Sequence, residues 1–119
     1  MPAMKRLSLT LAACACALAA AAENKPADRI AVAVTLEPGK IHEECTRLEA
    51  GQSRKWHWKS DQAVDFNIHY HRGEQVFYPV KRDAMRGDGG TFTAKSGEDY
   101  CWMWTGRERA AKIGGAIAK

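Results

Sequence analysis

Two histidines two residues apart on one strand are the sharpest chemical feature of this chain. His69-Tyr70-His71 closes a run, Val64 to His71, in which apolar and polar residues alternate. On a strand, His69 and His71 project from the same face about 6.5–7 Å apart, close enough to share a Cu or Zn ion. Asp65 and Asn67 extend that polar row, and His57 or Met103 would complete a ligand set if the fold brings them near. The plainer reading is a solvated strand face. A second feature is the alternation Tyr100, Trp102, Trp104 against Cys101 and Met103. Either the aromatic row faces outward, as a platform for a sugar, peptide or protein partner, with Trp56 and Trp58 extending it, or it is the core. Catalysis has little to stand on. Ser53, Ser60 and Ser96 lie in turn-like segments without a nucleophile elbow. Asp65 and His69 share a face, but an open sheet does not desolvate a general base. The expectation is a protein that is not an enzyme and needs no cofactor.

The elements that must position these residues are short strands. Ile30 to Leu36 alternates and stops at Pro38-Gly39; Ile41 to Leu48 is weaker and carries Cys45. Trp56 and Trp58 alternate with His57 within Lys55 to Lys59, and Ser60-Asp61-Gln62 then turns the chain. Val64 to His71 is the clearest strand, with Val64, Phe66, Ile68 and Tyr70 as its core face. Arg72-Gly73-Glu74 predicts a hairpin turn into Gln75 to Val80, where Pro79 argues for an edge or a bulge. Gly87, Gly89 and Gly90 predict a loop over 83–90. Thr91 to Ala94 and Tyr100 to Thr105 are strands, and residues 109–119 are a last strand or a frayed end. Together these predict an all-β, antiparallel sandwich of about seven or eight short strands.

Residues 1–22 change the arithmetic. Lys5-Arg6, an uncharged Leu- and Ala-rich stretch from Leu7 to Ala20, and small residues up to Ala22 are the parts of a secretory signal peptide. The stretch is short for a membrane span of roughly 20 residues. Cleavage near Ala22 leaves residues 23–119, in which 23–29 is a flexible leader and 30–119 one domain. The whole chain carries 18 basic and 14 acidic side chains for a net charge of +4. Losing Lys5 and Arg6 reduces this to +2, which leaves nucleic-acid binding without electrostatic support. The destination is the periplasm or the exterior, with no transmembrane span after cleavage. A rival route makes Leu11-Ala12-Ala13-Cys14 a lipoprotein signal, with Cys14 acylated.

Ordinary cleavage leaves Cys45 and Cys101, which in an oxidising compartment have one intramolecular pairing. No Cys-x-x-Cys favours a redox or metal role, so a structural disulfide is expected. It would stabilise a domain of this size by roughly 4 kcal/mol.

Cys45, a Trp at 56 or 58, and Cys101 lie near the immunoglobulin pattern, but the corner Tyr belongs two residues before the second Cys, and here Tyr100 is adjacent. The segments Leu36-Glu37-Pro38-Gly39, Glu44-Cys45, Leu48, Gly51, Val64-Asp65-Phe66-Asn67-Ile68, Gly90-Thr91-Phe92-Thr93-Ala94 and Gly97-Glu98-Asp99-Tyr100-Cys101-Trp102 together resemble the GOLD domain of emp24/p24-type proteins. The resemblance covers residues 34–105 and implies a β-sandwich with Cys45 paired to Cys101. It also implies a non-catalytic module that binds an envelope protein or another extracytoplasmic ligand. The coiled coil, membrane span and sorting tail of that family have no counterpart after Ile117, so its cargo-sorting role is not carried over. The alternative from another class is a periplasmic Cu/Zn-binding protein using His69 and His71.

Overall fold

The computed structural model describes residues 28–119. The expected signal peptide and Cys14 lie outside these residues. Six antiparallel strands account for the domain: β1 (Arg29–Leu36), β2 (Ile41–Leu48), β3 (Ser53–Arg72), β4 (Gln75–Thr93), β5 (Glu98–Gly106) and β6 (Ala111–Ala118). The all-β expectation and the Cys45–Cys101 disulfide hold, with six strands rather than seven or eight.

The lower count has one cause. The segments read as separate short strands around Ser60–Gln62 and around the glycines of 83–90 are the middles of two long strands. In β3 the extra residues between Lys59 and Val64 are a bulge rather than a turn, and β4 follows it from Gln75 to Thr93 without a break. Glycine is usually a strand breaker, but here it answers a steric demand. A Cβ at Gly90 would press into the Trp56 ring, and at Gly87 or Gly89 it would crowd the Trp58 or Trp56 carbonyl.

The β3–β4 hairpin is the frame of the molecule. The first half of β3 pairs β6, which pairs β1; its second half pairs β5, which pairs β2. A single sheet therefore curls into a half-barrel, bent where β3 bulges. Turn chemistry holds the connections. Pro38 and Gly39 form a tight turn closed by Lys40 N–H on Glu37 O, with Gly39 at φ 73°. Gly73, at φ 58°, begins the two-residue loop between Arg72 and Gln75.

The interior is aromatic. Trp58, Trp102, Trp104, Tyr100 and Phe66 are fully buried, with Val64, Ile68, Leu48 and Ile117 around them. Phe66 sits among three indoles, its ring centre 5.3 Å from that of Trp104, 5.4 Å from Trp58 and 6.2 Å from Trp56. Such pairs add about 0.5–1.5 kcal/mol each beyond area burial.

Candidate functional site: the outer face of β2, β5 and β3, and the hairpin groove

Strand pairing decides where the candidate residues point. Trp104 stands opposite Phe66 and Trp102 opposite Ile68, and directly paired residues share a face. Since Phe66 and Ile68 face the core, the Trp row must do so too. Of the two readings open for Tyr100, Trp102 and Trp104, the outward platform is thereby corrected to the other: these three side chains are core. Cys101 and Met103 take the opposite face.

On that outer face Cys45, Cys101 and His69 form one row across three strands, in direct register. The next row is Glu43, Met103 and Asn67. His69 is buried, only 4% exposed, although it lies on the side of the sheet away from the aromatic core. The rings of His71 and Tyr78 lean over it, with centres 5.2 and 5.8 Å away. Its two nitrogens are both engaged. Nδ1 lies 2.7 Å from Oδ1 of the buried Asn67, and Nε2 lies 3.0 Å from Glu43 Oε1. Burial is the main reason its pKa falls below the ordinary histidine value; Glu43 opposes that shift and His71 adds to it.

One atom each from Glu43, His69 and Cys101 lie within 4.8 Å of one another, the geometry of a metal-ligand cluster. In the oxidised chain Cys101 is tied to Cys45 and offers no thiolate. His71 is exposed and is not among the three clustered ligands, although its ring centre lies 5.2 Å from that of His69. Asp65 is also elsewhere: it accepts from Arg107 at 2.8 Å and from the Ala84 N–H at 2.9 Å. Glu43 went unnoticed in the sequence, since an acidic residue on a weak strand 26 positions before His69 carries no local signal.

A second concavity opens beside the hairpin end. A groove of about 450 Å³ is walled by Tyr70, Phe77, Tyr78 and Phe92 and floored by Tyr100, with Lys95 and Ser96 at its margin. Tyr70 and Phe77 stack with centres 5.1 Å apart, and the Arg72 guanidinium lies over both rings. Of the four large apolar side chains exposed among the described residues, Phe77 and Tyr78 line this groove. The edge or bulge expected for Gln75 to Val80 is found in the first part of the longer edge strand β4, where the register shifts, but the groove wall is not legible in the sequence. That wall exists only because Phe92 and Tyr100, distant in the chain, close its other side.

No protein-family model matches this chain, and no curated protein matches it. Among solved structures it is similar to the Yersinia pseudotuberculosis-derived mitogen (YPM), with a TM-score of 0.48 and 10% identity over 76% of this chain and 84% of that one. A likeness at that level carries nothing into the functional argument.

Proposed function

We propose that residues 23–119 are an exported, non-enzymatic binding or accessory module for a protein or other envelope ligand, and that the ligand seats in the hairpin groove. The observation that carries this reading is the aromatic groove of Tyr70, Phe77, Phe92 and Tyr100, with Phe77 36% and Tyr78 48% exposed along it. Apolar side chains concentrated in one place on a small domain cost solubility, and a binding surface is the usual reason for keeping them. Aromatic walls with a few polar margins suit the flat apolar faces of a peptide or a sugar. The signal-peptide pattern of residues 1–22 and the disulfide support export, and the GOLD-domain resemblance supports a module without catalysis.

The test is capture from envelope extract by the wild-type chain and by a Phe77→Ala, Tyr78→Ala double variant. Both side chains are exposed, so the variant keeps its fold, and a ligand held by the wild type should be lost. Equal capture by both would sink the groove assignment. The intact mass of the exported form settles processing, by a start near Glu23 or an acylated Cys14.

A further inference from the structure

The row Cys45–Cys101–His69 has three features that a structural disulfide does not need. The first is a buried histidine beside it on the outer sheet face. The second is the partner of that histidine. Nδ1 lies 2.7 Å from Asn67 Oδ1, and an Nδ1–H donating there leaves Nε2 as the nitrogen that can coordinate a metal. A buried side-chain carbonyl fixing the non-coordinating nitrogen is the usual support of a metal-binding imidazole. The third is what Nε2 faces. Glu43 Oε1 lies 3.0 Å away, an ion-pair distance at which a metal ion would take the place of the shared proton. Only the sulfurs are in the wrong state.

We infer that reduction of the Cys45–Cys101 disulfide converts this row into a zinc site with Cys45, Cys101, His69 and Glu43 as its four ligands. The mixed sulfur, nitrogen and oxygen donor set suits a borderline-soft, tetrahedral cation. Ligand atoms around tetrahedral zinc stand about 3.3–3.8 Å apart, given metal–ligand bonds of about 2.0–2.3 Å. The ligand atoms of Glu43, His69 and Cys101 lie within 4.8 Å of one another, and Cys45 Sγ, bonded to Cys101 Sγ, joins them as the two sulfurs separate on reduction. The chemistry balances with an external dithiol. One of its thiolates attacks the sulfur of Cys45, which is exposed on edge strand β2, and the Cys101 thiolate leaves. The second thiol resolves the mixed disulfide, so the reductant ends as a disulfide and both cysteines as thiols. Zinc then displaces the two thiol protons. The disulfide is thus a redox gate on metal uptake. This inference does not rest on the groove, although Tyr78 borders the groove and packs on His69.

The experiment compares the oxidised chain with the chain reduced by a phosphine, using Zn(II) followed by native mass spectrometry and Co(II) as a spectroscopic probe. The expected result is one metal per chain after reduction only, with a thiolate-to-Co(II) charge-transfer band and the d–d intensity of a tetrahedral ion. His69→Ala should abolish the site. Asn67→Ala, which removes only the support of the imidazole, should weaken binding about 10–100-fold while keeping the spectrum. Cys45→Ser frees Cys101 without reductant and should bind more weakly, with one thiolate in the spectrum. Phe77→Ala should change nothing. The inference fails if the oxidised chain binds as tightly as the reduced one, or if His69→Ala binds like wild type. It also fails if near-UV circular dichroism shows that the reduced chain unfolds, because the row then has no sheet to hold it.

Discussion

His69 is held neutral by burial, and that makes it a source of pH-dependent stability in the oxidised, metal-free protein. Its pKa is lowered in the folded state, so as pH falls through about 6.5 the unfolded chain takes up a proton that the folded chain refuses. The contribution of His69 is complete above that pH and is lost progressively until the lowered folded value is reached. Glu43 from β2, His71 from β3 and Tyr78 from β4 are the groups facing it, and Cys101 from β5 does not titrate. His69→Gln should therefore flatten the fall of the urea midpoint as pH drops below about 6.5; an unchanged slope would remove His69 as its origin. The tryptophans act at the same scale. Trp102→Ala should cost about 3–5 kcal/mol, as a large core truncation does, visible as a lowered melting temperature. The indole N–H groups of Trp56, Trp58, Trp102 and Trp104 have no acceptor among the described residues. Trp104→Phe, which removes an unsatisfied donor along with part of the ring, should therefore cost clearly less than Trp104→Ala.

The elements are set by where backbones must approach. Gly115 on β6 pairs with Trp58, and a Cβ there would run into the His57 carbonyl and the Trp58 backbone. Gly115→Ala should destabilise by several kcal/mol although it is a small change, whereas the same substitution at Gly114, which has open space, should cost well under 1 kcal/mol; paired denaturation curves decide it. Alternation made β1, the core face of β3 and the strand at Tyr100 readable from the chain alone, because a period of two survives without knowledge of neighbours. The glycines of β4 defeated that reading. Their role is defined by the Trp56 ring and the Trp56 and Trp58 carbonyls across the pair, and a local window over 83–90 sees only residues that favour loops. The bulge after Lys59 hid β3 in the same way. Ser60, Asp61 and Gln62 have turn composition, yet Asp61 accepts from the Lys112 N–H and the strand continues.

At the scale of the whole molecule the disulfide joins strands that are already neighbours. Cys45 and Cys101 face each other in the β2–β5 pair, with Leu48, Tyr100 and Trp102 buried beside them. Reduction should lower stability by up to roughly 4 kcal/mol through the freed loop while leaving the sheet folded. Saturating Zn(II) should then restore part of that loss, since a ligand held by the folded state alone stabilises it. Chemical denaturation of oxidised, reduced, and reduced zinc-loaded protein reads all three terms.

Composition and alternation determined the all-β class, the pairing of Cys45 with Cys101, and the Val64-Phe66-Ile68 core face, because each depends on residue type and a short period. Whether Trp102 and Trp104 pointed in or out was not decidable along β5, where both faces carry large side chains. The pairing of β5 with β3 decided it. That pairing set Cys101 beside His69, and the β2–β5 pairing carried Glu43 to it. Ligand groups converge through the register of three strands, and register between segments distant in the chain exists only once the sheet has closed.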